Sequence, residues 1–140
     1  MKACTFFGHR DAPDTLKSSI KEKISELIIE RGVERFYIGD HGRFDSMVIS
    51  VLGELKEFYP KIDYNVVLAY FPRSDNQYKN TILPEGIELC HPKSAIDFRN
   101  KWMLEHSDFV ICYVTCSFGG AAKYMNRAIK QGKHVINLGE

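Results

Sequence analysis

The chain has 140 residues, of which 44% are hydrophobic and 26% are charged, and its formal net charge is +1. This composition is typical of a folded domain and excludes a disordered chain. So balanced a charge provides no broad basic field for a nucleic-acid backbone, and no apolar run reaches the roughly 20 residues that span a bilayer. We therefore expect one cytoplasmic domain covering residues 1–140, without membrane contact.

Apolar runs of strand length alternate with stretches of helical period along the whole chain. This alternation is typical of βαβ units and predicts a single Rossmann-like three-layer α/β domain with a mainly parallel sheet. Strands are predicted at residues 3–7, 35–38, 64–70, 87–90, 109–114 and 134–138. Helices are predicted at residues 14–31, 44–58, 94–106 and 119–131.

Local signals mark the ends of several elements. Asp14 and Thr15 are predicted to cap the first helix, and Gly32 is predicted to end it. The polar segment from Phe71 to Gly86 is expected to be one irregular loop, of a length that is often functional. Because it carries charged and aromatic side chains, this loop either covers the site or is a simple exposed connection; those side chains are Arg73, Asp75 and Tyr78.

The four cysteines form no CxxC pair, although Cys112 and Cys116 have a CxxxC spacing. Structural zinc and reduced, mostly buried thiols are both compatible with this pattern, and reduced thiols fit better because no second pair matches. We expect neither a metal nor a cofactor.

In an open α/β sheet the ligand crevice lies outside the carboxyl ends of the strands, so residues that directly follow strands are the site candidates. Gly8, His9 and Arg10 follow the first strand, where a glycine permits a tight turn and two side chains can donate to an anion. An ordinary turn with a surface arginine explains the same tripeptide.

The second strand ends in a loop with two glycines and two acids, at the entry of a helix. Gly39, Asp40, Gly42 and Asp45 are the candidates here. Asp45 is interpreted either as a helix cap or as a residue that binds a ribose hydroxyl.

The strongest candidate lies between the predicted strand at 109–114 and the helix that follows it. Here Ser117, Gly119 and Gly120 leave backbone amides open at the positive end of a helix, which favours phosphate. The segment matches neither GxGxxG nor the P-loop. Arg99 and Asn100 lie on the preceding helix, where an arginine is usually a solvated charge.

Four segments in this order resemble the short bacterial and phage YpsA-like members of the SLOG superfamily. That Rossmann-like group also includes the Lonely Guy phosphoribohydrolases and DNA-processing protein A. The resemblance covers nearly the whole chain and rests on residues 4–10, 39–45 with 51–56, 99–103 with 106–108, and 119–120 with 131–133.

The resemblance implies a nucleotide-derived ligand between the glycine loops, with Arg99 and Asn100 near its phosphate or sugar, and it implies a homo-oligomer. The phosphoribohydrolases carry a PGGxGTxxE stretch, in which Gly119 matches the last glycine. The other positions depart from that pattern. Cys116 and Ser117 replace the leading glycines, Gly120 replaces the threonine, and Lys123 stands where the catalytic glutamate would be.

The residues and the resemblance together favour a binding or sensing module for a nucleotide-derived phosphorylated molecule. The alternative is an N-glycosidase acting on a nucleoside monophosphate, with Asp40 or Asp45 as its acid or base, since such cleavage needs a carboxylate. DNA association, by analogy with DNA-processing protein A, is the third hypothesis, and the balanced charge argues against a nucleic-acid partner.

Overall fold

The computed structural model describes residues 2–71 and 80–140. Within these residues six strands form one sheet, in which all neighbouring strands are parallel. In chain order the strands are β1 (Ala3–Gly8), β2 (Arg35–Ile38), β3 (Asp63–Val67), β4 (Thr81–Ile82), β5 (Phe109–Tyr113) and β6 (His134–Asn137). Four α-helices connect them: α1 (Lys17–Arg31), α2 (Gly42–Phe58), α3 (Ala95–Glu105) and α4 (Gly120–Lys130). The predicted Rossmann-like α/β fold is confirmed.

The sheet has the order β4-β3-β2-β1-β5-β6, so β1 lies between β2 and β5. From β1 the chain builds the sheet outward to β4, and it then returns to the other side of β1 for β5. The connections therefore diverge at β1 and β5. In parallel sheets this divergence leaves a crevice at the carboxyl ends of the two strands.

Helices cover both faces of the sheet. Alternate residues of β1 point to opposite faces, so that Phe6 packs in a core with α1 and α2 whereas Phe7 packs in a core with α3 and α4. Strands covered on both faces are apolar throughout, which explains the continuous hydrophobic runs in the sequence. No helix of the described residues is both long and apolar enough to cross a membrane.

The chain between β3 and α3 differs from the prediction. Residues 87–90 are not a strand; Ile87–Leu89 form a 3-10 turn, because Gly86 has a left-handed φ of 89° and the Ile87 amide donates to Pro84 O. The sixth strand is instead β4, inside the segment predicted to be one irregular loop. It pairs with β3, and Leu68 N, directly after β3, donates to Ile82 O at 2.9 Å.

The start of the first helix is also different. Pro13 precedes a 3-10 turn at Asp14–Leu16, and no side chain of the described residues caps this turn or α1. Asp14 pairs with Arg43 of α2 instead. Gly32 ends α1 in the left-handed conformation, with φ 66°, as predicted. The covering role considered for Arg73, Asp75 and Tyr78 concerns side chains outside the described residues.

Candidate functional site

A cleft of about 500 Å³ opens at the carboxyl end of β1, beside the start of the helix that follows β5. Its walls are the segment after β1, the start of α2, one face of α3 and the first residues of α4. A cleft of this volume is of the size that holds a small molecule. The fold thus forms a pocket at the position where open α/β sheets bind their ligands.

The wall after β1 is anchored on both sides. A Cβ atom on Gly8 would lie 2.8 Å from Phe44 Cβ, so only glycine allows β1 to pack this closely against α2. His9 Nε2 accepts a hydrogen bond from Thr115 N at 2.9 Å, and it lies 3.7 Å from Cys116 Sγ. The imidazole therefore carries its proton on Nδ1 and joins the loops that follow β1 and β5.

Arg10 provides a cation at the rim of the cleft. Its backbone oxygen accepts from Arg43 N at 2.8 Å, which fixes the main chain while the side chain extends into solvent. Among the described residues no carboxylate pairs with its guanidinium. This charge is therefore available to an anionic ligand.

The opposite wall contains a cluster of four charged or titratable side chains: Asp40, His41, Asp45 and Arg99. Arg99 is only 3% exposed, and its guanidinium donates to Val67 O at 3.0 Å and to Asp40 Oδ1 at 3.3 Å. His41 Nδ1 lies 3.0 Å from the same Asp40 oxygen. Asp45 Oδ2 accepts from His41 N at 3.0 Å and so satisfies an amide at the start of α2.

The two acids of this cluster have opposite pKa shifts. Burial raises the pKa of Asp45 to about 6, although the nearby Arg99 charge opposes the change. Burial also acts to raise the pKa of Asp40, but hydrogen bonds and charge from His41 and Arg99 outweigh it and hold the pKa below 3.8. Near neutral pH both carboxylates are ionised, and only Asp45 is close to gaining a proton.

Gly39 allows this cluster to form. A Cβ atom at this position would come within 2.8 Å of Arg99 Nη1 and 2.9 Å of Asp45 Oδ2. The glycine directly after β2 therefore lets the buried guanidinium and the buried carboxylate lie against the backbone.

The third wall is the start of α4. Gly119 precedes the helix with φ 96° and ψ 170°, a conformation accessible essentially only to glycine, and within the part of the chain that the structure describes no side chain caps the helix. The first amides of α4, beginning with that of Gly120, are orphan donors next to the cleft. They lie at the positive end of an 11-residue helix.

Lys123, one turn further along α4, does not reach into the cleft. Its ammonium donates to Asp97 Oδ1 at 2.8 Å, and the Tyr124 hydroxyl bonds to the same carboxylate. These hydrogen bonds lower the pKa of Asp97 and join α3 to α4. Lys123 thus has a structural partner.

Most of the predicted site residues surround the cleft. Those that line it are Gly8, His9, Arg10, Asp45, Arg99, Asn100, Gly119 and Gly120. Gly39 and Asp40 lie behind them, in contact with Arg99. Gly42 lines a neighbouring groove, and Ser117 lines a separate hollow after β5.

Sequence reasoning missed His41 and Asp97. His41 lies inside a loop that the sequence already singled out, and its position between an acid and a glycine was a usable signal. Asp97 gave no signal, because only the packing of α3 on α4 brings it to Lys123. Within residues 2–71 and 80–140, no three His, Cys, Asp or Glu side chains are arranged to hold a metal ion.

No protein-family model matches the sequence, and no curated protein matches it. Among solved structures, DNA processing protein A from Streptococcus pneumoniae is similar, with a TM-score of 0.70 and 15% sequence identity. The match covers 98% of this chain and 50% of that chain, so this chain spans half the length of the protein it matches. At this identity the likeness shows the fold alone, and it is the fold that the SLOG resemblance implied.

Proposed function

We propose that this chain is a YpsA-like SLOG domain that binds a nucleotide-derived phosphorylated small molecule in the cleft at β1 and β5. The observation that carries the proposal is the opposition of two chemically different walls. One wall offers hydrogen-bond donors and a free cation, and the other offers the buried carboxylate of Asp45. A nucleotide has matching parts, since its phosphate is an acceptor and its ribose hydroxyls are donors.

The donor side suits the phosphate. The orphan amides that begin at Gly120 and the guanidinium of Arg10 both border the cleft. Amides at the start of a helix bind phosphate through hydrogen bonds and the helix dipole, and an arginine adds a charge-assisted bond. Arg99 is a weaker candidate for this role, because its guanidinium already bonds to Val67 O and Asp40.

The acidic side suits the sugar. Asp45 lines the cleft, and one of its oxygens already holds the His41 amide. In Rossmann-like domains an acid after the second strand accepts hydrogen bonds from ribose hydroxyls, and Asp45 lies in the first turn of the helix that follows β2. Arg99 and Asp40 act behind it by keeping the local charge balanced.

The proposal is tested by a thermal-shift screen of the purified chain against nucleoside monophosphates, dinucleotides and phosphoribosyl compounds. A ligand at 100 times its dissociation constant stabilises the folded state by about 2.7 kcal/mol. A single-stranded oligonucleotide, measured at low and high salt, tests DNA association, because such binding falls steeply with salt. No shift with any small molecule would contradict the proposal.

The variants Gly120→Pro and Gly120→Ala form a matched pair for locating the phosphate. Proline is tolerated at the first helical position and removes one amide, whereas alanine keeps that amide. We expect Gly120→Pro to weaken binding about 10- to 100-fold, as the loss of one bond to a charged group implies, with Gly120→Ala close to the original chain. Equal binding by the two variants would show that this amide is not used.

Arg10→Ala tests the rim cation, and Lys130→Ala on the far end of α4 is its control. Both substitutions remove one exposed positive charge, so nonspecific attraction changes equally. Only Arg10→Ala is expected to weaken binding. Arg99→Ala is a poor probe, since it leaves Asp40 and Asp45 without their buried cation and destabilises the fold itself.

A second function, N-glycosidase activity on a nucleoside monophosphate, is favoured by one observation. Asp45 is a carboxyl of raised pKa in the cleft, and such groups are candidates for acid–base catalysis. Incubation of each hit followed by product analysis separates the two functions. Release of free base that Asp45→Asn abolishes and Asp11→Asn retains would establish the enzyme; intact ligand would leave the binding module.

A further inference from the structure

A second groove, of about 380 Å³, adjoins the cleft on the side of α1 and α2. Its polar lining is made of three cations, Arg10, Lys17 and Arg43, and two serines, Ser46 and Ser50. Among residues 2–71 and 80–140 no carboxylate lines it, in contrast to the cleft, which is lined by Asp11 and Asp45.

The sequence of α2 produces this donor-rich surface. Arg43, Ser46, Met47 and Ser50 are spaced by three or four residues and therefore share one face of the helix. The opposite face carries the apolar residues that pack on the sheet. Met47 is nearly buried and forms the floor, so the serine hydroxyls and the Arg43 guanidinium border an apolar base.

Two of the three cations have exposed partners. Arg43 pairs with Asp14, and Lys17 Nζ lies 3.4 Å from Glu54 Oε1, with the cationic side chains 59% and 44% exposed. Solvent-exposed ion pairs contribute only about 0–1 kcal/mol each. A phosphate, which carries more charge and more acceptor atoms than a carboxylate, can therefore replace these partners.

Arg10 lines both the groove and the cleft, so the two hollows meet at this residue. Gly42, which also lines the groove, has a φ of 90°, and a Cβ atom there would lie 2.7 Å from Arg10 Cα. Arg43 N donates to Arg10 O at 2.8 Å and holds the two segments together. A ligand bound in the cleft beside Arg10 therefore lies next to the groove.

We propose that the groove binds a second phosphorylated unit of the ligand, so that the ligand class is a dinucleotide rather than a mononucleotide. This inference rests on the proposed function, since it assigns the first nucleotide to the cleft. Arg10 then lies between the two units, and Lys17, Arg43, Ser46 and Ser50 donate to the second phosphate. Specificity for the longer ligand comes from the groove alone.

The test compares nucleoside monophosphates with the matching 5′-phosphorylated linear dinucleotides by isothermal titration calorimetry. For the unmodified chain we expect the dinucleotide to bind about 10- to 100-fold more tightly, as one added set of charged hydrogen bonds implies. The double variant Lys17→Ala/Arg43→Ala should lose this advantage and bind the mononucleotide as before. The double variant Lys23→Ala/Lys130→Ala removes the same charge outside the groove and should keep the advantage.

The outcomes test the groove assignment and the cleft proposal separately. Equal affinity for mononucleotide and dinucleotide in the unmodified chain would overturn the groove assignment and leave the cleft proposal standing. Loss of the advantage in both double variants would show a general charge effect and would also overturn it. Failure of every nucleotide to bind would overturn the proposed function and, with it, this inference.

Discussion

Asp45→Asn is expected to make the folded chain more stable at neutral pH. The side chain is 8% exposed, and its Oδ2 atom accepts the His41 amide at 3.0 Å. Asparagine retains an oxygen that accepts the same bond, so the start of α2 keeps its geometry. What the substitution removes is a buried negative charge.

The magnitude follows from the pKa of Asp45, which burial raises from 3.8 to about 6. Between these values the folded chain binds more protons than the unfolded chain, so the free energy of unfolding falls as pH rises through this window. The difference is about two pH units at 1.36 kcal/mol each, and the ionised carboxylate therefore costs about 3 kcal/mol above pH 6. Below pH 4 both states are protonated and the cost disappears.

Urea unfolding of both chains at pH 4, 5, 6 and 7.5 measures this dependence. The advantage of Asp45→Asn should grow from near zero to about 3 kcal/mol, which corresponds to roughly 10 °C in melting temperature for a chain of this size. Glu57→Gln is the control, because it removes an exposed acid from the same helix. If Asp45→Asn were less stable at every pH, the carboxylate would be a net stabilising partner of Arg99 and the reasoning would fail. The same variant should bind nucleotide more weakly, so that stability and function change in opposite directions.

Three further changes test the packing around the cleft by urea unfolding. Asp40→Asn should destabilise the chain by about 2 kcal/mol, because buried Arg99 loses its ionised partner. Since the pKa of Asp40 is held below 3.8, this loss of stability should shrink only as the pH falls below that value. A loss that is constant down to pH 2 would contradict the pairing. Gly8→Ala should lower the free energy of unfolding by about 1–3 kcal/mol, because the added Cβ atom meets the fully buried Phe44. Gly120→Ala is the comparison, since its Cβ atom meets nothing within 4 Å. Equal stability of the two variants would refute the clash. Tyr124→Phe should cost about 1 kcal/mol through loss of the bond to Asp97, and an unchanged stability would show that this contact between α3 and α4 contributes nothing.

The main strands were predictable because each is an apolar run bounded by polar or glycine residues. Both Arg35–Ile38 and Phe109–Tyr113 were placed within one residue at each end. The two-residue strand Thr81–Ile82 was not, since it exists through pairing with β3 rather than through any pattern of its own. Ile87 suggested a strand there by its apolar character, but the backbone at Gly86 turns.

For the site, the expectation that ligands bind at the carboxyl ends of the strands identified the loops but not the contacts between their side chains. Gly8, Asp45 and Gly120, which it singled out, all line one cleft. It could not show that Arg99 is buried, because an arginine on a helix is usually solvated and only tertiary contacts with Asp40 and Val67 reverse this. Sequence periodicity does not show which distant segments come into contact in the fold.

The central position of β1 has a consequence for how the chain folds. One edge of this strand pairs with β2, and the other pairs with β5, whose register brings Ala3 N to Asp108 Oδ2 across 105 positions. During synthesis the edge that pairs with β5, and the apolar faces around it, stay unmatched until residues 109–113 have left the ribosome. Because such distant contacts form late, folding of this domain should be slow for its size, and chains released before β5 should be the ones that aggregate.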